Sequence, residues 1–290
     1  MFVEPDDGLD PVLNEFNGAV RSIDLVVYEL TERQVLAALE SAQRRGVQVR
    51  VLLEEHPFGA GNINGSAAAR LQQAGVQVRW ANPRFSLTHE KAAVIDRREA
   101  LILTLNLTAS AFTRNREYGA IDRDPEDVAE VQALFDADWN RISYSPVRPA
   151  LVVSPDNARR RFEAIVGQAA GELDVESEEV QDAGIEQALV ASAKRGVHVR
   201  LVISPAEGGT DSNAAGLQRL KAGGVDVRYM RKPYVHAKLF VADGRAAFAG
   251  SENISRQSLD GNRELGVFLS EPASLSRLQG TFGQDWGSHS

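Results

Sequence analysis

The sequence predicts an α/β protein of two homologous halves, each a mixed β-sheet flanked by helices and related to the other by a pseudo-two-fold axis. Three observations carry this expectation. The chain repeats itself from end to end: FVEPDD at Phe2 to Asp7 is echoed by VVSPDN at Val152 to Asn157, an offset of 150. Within each half, stretches with helical spacing alternate with stretches of period two, the pattern of a sheet covered by helices. The 290 residues, 43% hydrophobic and 25% charged, match ordinary globular proteins and suit two units, placed at 1–147 and 148–290.

Taken in order, the elements support the duplication. After the opening strand, an apolar stretch holding Asp24 and Glu29 recurs with Asp174 and Glu179. VLAALESAQRRG (Val35 to Gly46) and IEQALVASAKRG (Ile185 to Gly196) read as helices with basic last turns and glycine caps. The alternating VQVRVLL and VHVRLVI that follow read as strands. A Gly-rich stretch comes next in each half, Pro57 to Ser66 and Pro205 to Gly216, expected to form mobile loops that shape access to a site. A second glycine-ended helix (SAAARLQQAG, NAAGLQRLKAG) and a second strand (VQVRW, VDVRY) complete the shared order. From there to Trp139 and Trp286 the offset is 147, and SPVRPA at Ser145 to Ala150 marks the boundary.

Composition narrows the function classes. No run approaches the length of a membrane-spanning helix, and MFVEPDDG lacks the basic stretch and apolar core of a signal peptide. A strand that starts at residue 2 starts abruptly, which fits a chain whose leader has been removed; the compartment stays open between cytoplasmic and secreted. Without cysteine there are no disulfides and no thiolate metal sites. A net charge of −8 is the reverse of the footprint of a protein that grips duplex DNA over a broad face.

The chemistry concentrates in the second part of each half. Thr-His89-Glu-Lys91 and Val-His236-Ala-Lys238 occupy equivalent positions. On a strand, residues two apart face the same way, so each histidine projects beside its lysine. Asp96 and Asp243 fall on the other face at a turn, where Asp243-Gly244 signals a type I′ hairpin, and are expected to hold structure. Asn106 and Asn253 follow ten residues later, and Glu117 and Glu264 stand 28 residues after each histidine. A single His-x-Lys says little; two copies in register, each with Asp, Asn and Glu at one spacing, point to a shared site.

This set resembles the phospholipase D superfamily, whose motif is His-x-Lys, four residues, Asp, then Gly-Ser and Asn. The second half carries all of it, with Gly250, Ser251 and Asn253 after Asp243. The first half departs, with Leu103 and Thr104 in place of Gly-Ser, which makes the half-sites unequal. The resemblance implies a metal-independent phosphodiesterase working through a phosphohistidine, of phospholipase D type on phospholipids, by hydrolysis or transphosphatidylation. It implies His89 as nucleophile and His236 as acid. Lys91, Lys238, Asn106 and Asn253 would bind the phosphoryl oxygens, with Thr104 and Ser251 as further substrate contacts. Glu117 and Glu264 would accept a hydrogen bond from the far ring nitrogens of His89 and His236. No cofactor and no catalytic metal are expected. The fused repeat would supply internally a two-fold contact, so a monomer is expected.

The alternative is an endonuclease of the same superfamily on single-stranded or duplex nucleic acid. Arg84, Arg114, Arg116, Arg231, Lys232, Arg256 and Arg263 cluster around the motifs and would line a groove for one strand. For a lipid, Phe85, Phe112 and Tyr234 would supply apolar contacts at the rim. A silent binding scaffold would show decay of the paired residues, and His, Lys, Asn and Glu are kept in both halves. His56, His198 and His289 have no partner set, and Trp139 and Trp286 belong to the core.

Overall fold

A computed structural model describes residues 1–206 and 208–288; His289 lies outside them. The first half runs β1 (Phe2–Glu4), α1 (Asp10–Gly18), β2 (Ser22–Val27), α2 (Arg33–Arg44), β3 (Gln48–Leu53), α3 (Gly65–Gln73) and β4 (Gln77–Trp80). It continues through β5 (Ala92–Ile95), β6 (Glu99–Leu103), α4 (Ala109–Thr113), β7 (Asn115–Asp122) and α5 (Pro125–Asn140). The second half runs β8 (Leu151–Ser154), α6 (Ala158–Gln168), β9 (Glu172–Ser177), β10 (Val180–Gln181), α7 (Ala183–Lys194), β11 (His198–Ile203) and α8 (Ala214–Ala222). It ends with β12 (Asp226–Tyr229), β13 (Tyr234–Val235), β14 (Lys238–Ala242), β15 (Ala246–Gly250), β16 (Ile254–Ser255), α9 (Arg256–Asp260), β17 (Glu264–Leu269) and α10 (Pro272–Gly287).

The two main sheets share one strand order. The first is β1-β7-β6-β5-β2-β3-β4, and the second β8-β17-β15-β14-β9-β11-β12. β2, β3 and β4 run parallel to one another, whereas β5, β6, β7 and β1 pair antiparallel, as do their counterparts. Each sheet is therefore mixed. Central strands such as β5 (AAVI) are buried throughout, because helices cover both faces.

Local chemistry sets the helix ends. Asp124 caps α5 by accepting from the Glu126 and Asp127 amides, ahead of Pro125, whose missing N–H is harmless in a first turn. Asp182 caps α7 through the Ile185 amide. Past α2 and α7, Gly46 and Gly196 take φ of 89° and 96°, a conformation open to glycine, and turn the chain into β3 and β11.

The outer face of each sheet forms its own core, with Phe16, Leu39 and Leu71 in the first half and Phe162, Leu189 and Leu220 in the second. The inner cores are shared. Phe135 and Trp139 of α5 cluster with Leu151, Val153 and Leu265, while Leu278 and Phe282 of α10 cluster with Val3 and Tyr118. The tryptophans lie in these cores as expected: Trp139 stacks on Phe135 beneath Arg50 and Arg79, and Trp286 on Phe282 beneath Arg200 and Arg228. Among the described residues no helix is long and apolar enough to cross a membrane.

Candidate active site

Each histidine reaches the site along a strand of the opposite half. β13 pairs in parallel with β7, so that the His236 amide donates to the Arg116 carbonyl. In mirror fashion Thr88 bridges to Arg263, and the His89 amide donates to the Arg263 carbonyl at 2.9 Å. The residue after each of these arginines is a glutamate. His89 Nδ1 therefore lies 2.9 Å from Glu264, and His236 Nδ1 lies 2.7 Å from Glu117. The pairs are crossed between halves, which corrects the expectation that Glu117 serves His89 and Glu264 serves His236. Sequence spacing fixes position along one repeat, and the pairing is made by the interlock.

The lysines sit behind the histidines. His89 and Lys91 precede β5, and His236 precedes β14, of which Lys238 is the first residue. Both ammonium groups are buried and donate to the carbonyl of their own histidine, Lys91 at 2.6 Å. Burial pushes Lys91 down to about 7 and His89 to about 4, the latter against the opposing pull of Glu264. His89 is therefore a neutral imidazole at pH 7. Its Nδ1 proton points at Glu264, leaving Nε2 with a free lone pair. Burial alone would raise Glu117 and Glu264, yet the facing histidines and lysines hold both below the usual carboxylate range.

Thr104 and Ser251 are placed otherwise than expected. Both are fully buried. The Thr104 hydroxyl donates to Glu117 at 2.6 Å and accepts from the Tyr118 amide; Ser251 accepts from the Leu265 amide and lowers Glu264 by a hydrogen bond. They orient the glutamates instead of meeting substrate. Leu103, the departure of the first half, packs into the outer core, while at Gly250 a Cβ would meet Glu252 at 2.5 Å.

Asp96 and Asp243 sit at turns with φ of 55° and 52°, followed by Arg97 at 57° and Gly244 at 62°, as in a type I′ hairpin. Asp96 accepts from the Val20, Arg21 and Ser22 amides, and Asp243 from Ala170, Gly171 and Glu172. Each ties its hairpin to the start of β2 or β9, the antiparallel neighbour of β5 or β14, and neither aspartate lines the pocket.

A pocket of about 640 Å³ opens over both histidines. Asn106 and Asn253 line it, each with its carbonyl oxygen unpartnered. Of the seven cations suggested for a nucleic-acid groove, only Arg256 is on its wall. Arg116 is buried against Asp285 and Asp6, Arg263 against Asp138 and Asp156, and Arg84 lies over Phe85. The expected rim aromatics are likewise elsewhere, with Phe85 and Phe112 buried and Tyr234 off the pocket wall. Phe58, 87% exposed on the first Gly-rich loop, takes that place; no described residue of the second loop lines the pocket.

Among the lining residues that sequence did not assign to the site are Tyr28, Glu29, Glu178 and Glu179. They follow β2 and β9, at the carboxyl ends of parallel strands, where α/β proteins hold ligands. The repeat marks them, since positions 28 and 178 pair a tyrosine with a glutamate within matched flanks. Tyr28 meets His89 edge to face at 4.6 Å and lies 5.1 Å beneath the Lys91 ammonium. Glu178 instead accepts from Lys238 at 2.8 Å and stands 3.4 Å from His236 Nε2.

The family described as "Cardiolipin synthase, PLD-like domain" matches residues 12–139 and again 163–286. The mitochondrial cardiolipin hydrolase of Homo sapiens is 30% identical over 48% of this chain and 53% of its own length. A cardiolipin synthase of Oceanobacillus iheyensis is 24% identical over 98% of this chain and 68% of its own. In three dimensions the chain is similar to phosphatidylserine synthase of Haemophilus influenzae, with a TM-score of 0.71 at 12% identity, over 94% of this chain and 83% of that one. It also matches polyphosphate kinase of Porphyromonas gingivalis, with a TM-score of 0.76 at 16% identity, over 97% of this chain. The chain spans about half the length of that kinase, at 49%, and of the human hydrolase. With two family matches covering most of its length, and one histidine, lysine and glutamate set from each, the chain belongs to the PLD-like domain family and through it to the phospholipase D superfamily.

Proposed function

We propose that the protein is a phosphodiesterase of phospholipase D type that cleaves phospholipids without a metal, by hydrolysis or transfer to an alcohol. The observation that carries the reading is the pair of crossed histidine–glutamate contacts, His89 with Glu264 and His236 with Glu117, on one pocket backed by two lysines. A phosphodiester needs a nucleophile, an acid for the leaving alcohol and cations for its oxygens. The neutral His89 Nε2 attacks phosphorus. The bond to the alcohol breaks, and the alcohol leaves with a proton from His236, whose ring faces carboxylates on both sides. Water then attacks the phosphohistidine, gives its proton to His236 and releases His89. An acceptor alcohol in place of water completes transfer. Lys91, Lys238, Asn106 and Asn253 hold the non-bridging oxygens.

Phospholipid is favoured as substrate on two grounds. Cardiolipin-processing relatives supply one. The pocket wall supplies the other, since it presents Glu29, Glu178 and Glu179 beside a single arginine, a poor track for a polyanionic strand, with an exposed Phe58 at its mouth. The test is headgroup release from phosphatidylglycerol or cardiolipin vesicles in EDTA, with and without added glycerol, beside single-stranded DNA. Lipid turnover lost in His89→Ala and in His236→Ala supports the proposal. DNA cleavage with no lipid turnover rejects it in favour of a nuclease.

A further inference from the structure

The two half-sites differ most at positions 28 and 178, and the difference is one of charge. In the second half a single oxygen, Glu178 Oε2, lies 2.8 Å from the Lys238 ammonium and 3.4 Å from His236 Nε2. One anionic oxygen between an ammonium and an imidazole is the contact set that the phosphoryl chemistry requires of a substrate oxygen. In the first half Tyr28 fills the equivalent place with a neutral ring, and among the described residues no carboxylate stands within ion-pair distance of Lys91.

We propose that Glu178 is a displaceable internal anion, which competes with the substrate's phosphoryl group for Lys238 and His236 and sets the affinity of the site for phosphodiesters. This rests on the phosphoryl-binding role given above to the two lysines. Two anions cannot share one ammonium and one imidazole without strong repulsion at these distances, so one must leave. The Glu178 carboxylate is ionised: burial would raise it, but His236 and Lys238 hold it well below the usual range. Its backbone is fixed, with the amide donating to the Ala237 carbonyl at 3.2 Å, while the side chain is one quarter exposed at 24% toward the pocket. Displacement is therefore a rotation of the side chain into the open pocket, with no loop movement. In the first half Lys91 has no carboxylate within ion-pair distance to displace among the described residues. Glu178 thereby acts as a specificity-setting residue, admitting only ligands that outbid a carboxylate held by charge-assisted bonds.

Calorimetric titration of the protein with inorganic phosphate at pH 7.5 tests this without turnover, so a chain inactive on phospholipid still answers. Glu178→Gln and Glu178→Tyr, the latter carrying the residue already present in the first half, are expected to bind phosphate about tenfold more tightly than the parent chain. Glu179→Gln removes the same charge from the pocket wall without touching Lys238, and is expected to change affinity less than about threefold. Unchanged or weaker binding in Glu178→Gln, or an equal gain in Glu179→Gln, overturns the proposal. A crystal structure of the unmutated protein with phosphate gives the second reading: Glu178 must lie out of hydrogen-bond reach of Lys238, and phosphate bound with that contact intact sinks the idea.

Discussion

The two halves build the same machine and then diverge in what surrounds it. Each contributes a histidine, a lysine, an asparagine and a glutamate, each glutamate held by a buried hydroxyl, each histidine held by the carbonyl of a buried arginine in the other half. The first half-site encloses its histidine with Tyr28 and opens onto Phe58, whereas the second sets Glu178 against both His236 and Lys238. Symmetry supplies the groups proposed for catalysis. The unsymmetric residues distinguish them, setting one imidazole against an aromatic ring and the other between two carboxylates.

Breaking either half should have the largest effect. His89→Ala and His236→Ala are each expected to lower kcat at least about 10³-fold on phospholipid, and the double variant scarcely further, because groups acting as a unit are not additive. Additive losses would mean two separate sites. A second contrast lies in protonation. Burial lowers His89 from 6.5 to about 4, so between those values the unfolded chain holds a proton at this position that the folded chain refuses. Stability from this group is thus fully present above pH 6.5 and falls as the pH drops toward 4. Urea unfolding at pH 7 and pH 5 should show a smaller loss in His89→Gln than in the parent; an equal loss would remove His89 from that slope.

Smaller effects sharpen the separation of scaffold from site. Asp96→Ala and Asp243→Ala each release three backbone amides and are expected to cost about 1–2 kcal/mol by chemical denaturation, comparable with losing a helix cap, while kcat of the folded protein stays within about twofold. A large fall in kcat with stability intact would give these aspartates a part in the chemistry. Least affected should be Arg114→Ala, an exposed arginine away from the pocket. Its effect on stability is expected to stay within about 0.5 kcal/mol and its effect on lipid turnover to be negligible; a marked loss with DNA alone would restore the nucleic-acid groove.

Much of this was legible in the sequence because duplication turns weak signals into matched ones. The succession of strands and helices along each half, the glycine-capped helices and the hairpin role of Asp96 and Asp243 follow from periodicity and turn chemistry, which act locally. The crossing of Glu117 to His236 and of Glu264 to His89 depends on which strand each histidine joins, a contact between residues more than a hundred positions apart. Thr104 and Ser251 were misread because a hydroxyl beside a motif can face pocket or core, and the neighbouring glutamate decides. The arginines misled for a related reason: Arg116 and Arg263 are basic in sequence, but Asp285 and Asp138 from distant helices neutralise them.

The crossed pairing is tested most directly by the burst of phosphoenzyme formation on bis(p-nitrophenyl) phosphate, whose leaving group departs without needing a proton. If His89 is the nucleophile and Glu264 its orienting partner, Glu264→Gln slows the burst about 10²-fold or more, whereas Glu117→Gln leaves it nearly intact and slows only the hydrolysis that follows. The reverse pattern, a slow burst in Glu117→Gln and a normal one in Glu264→Gln, would contradict the account.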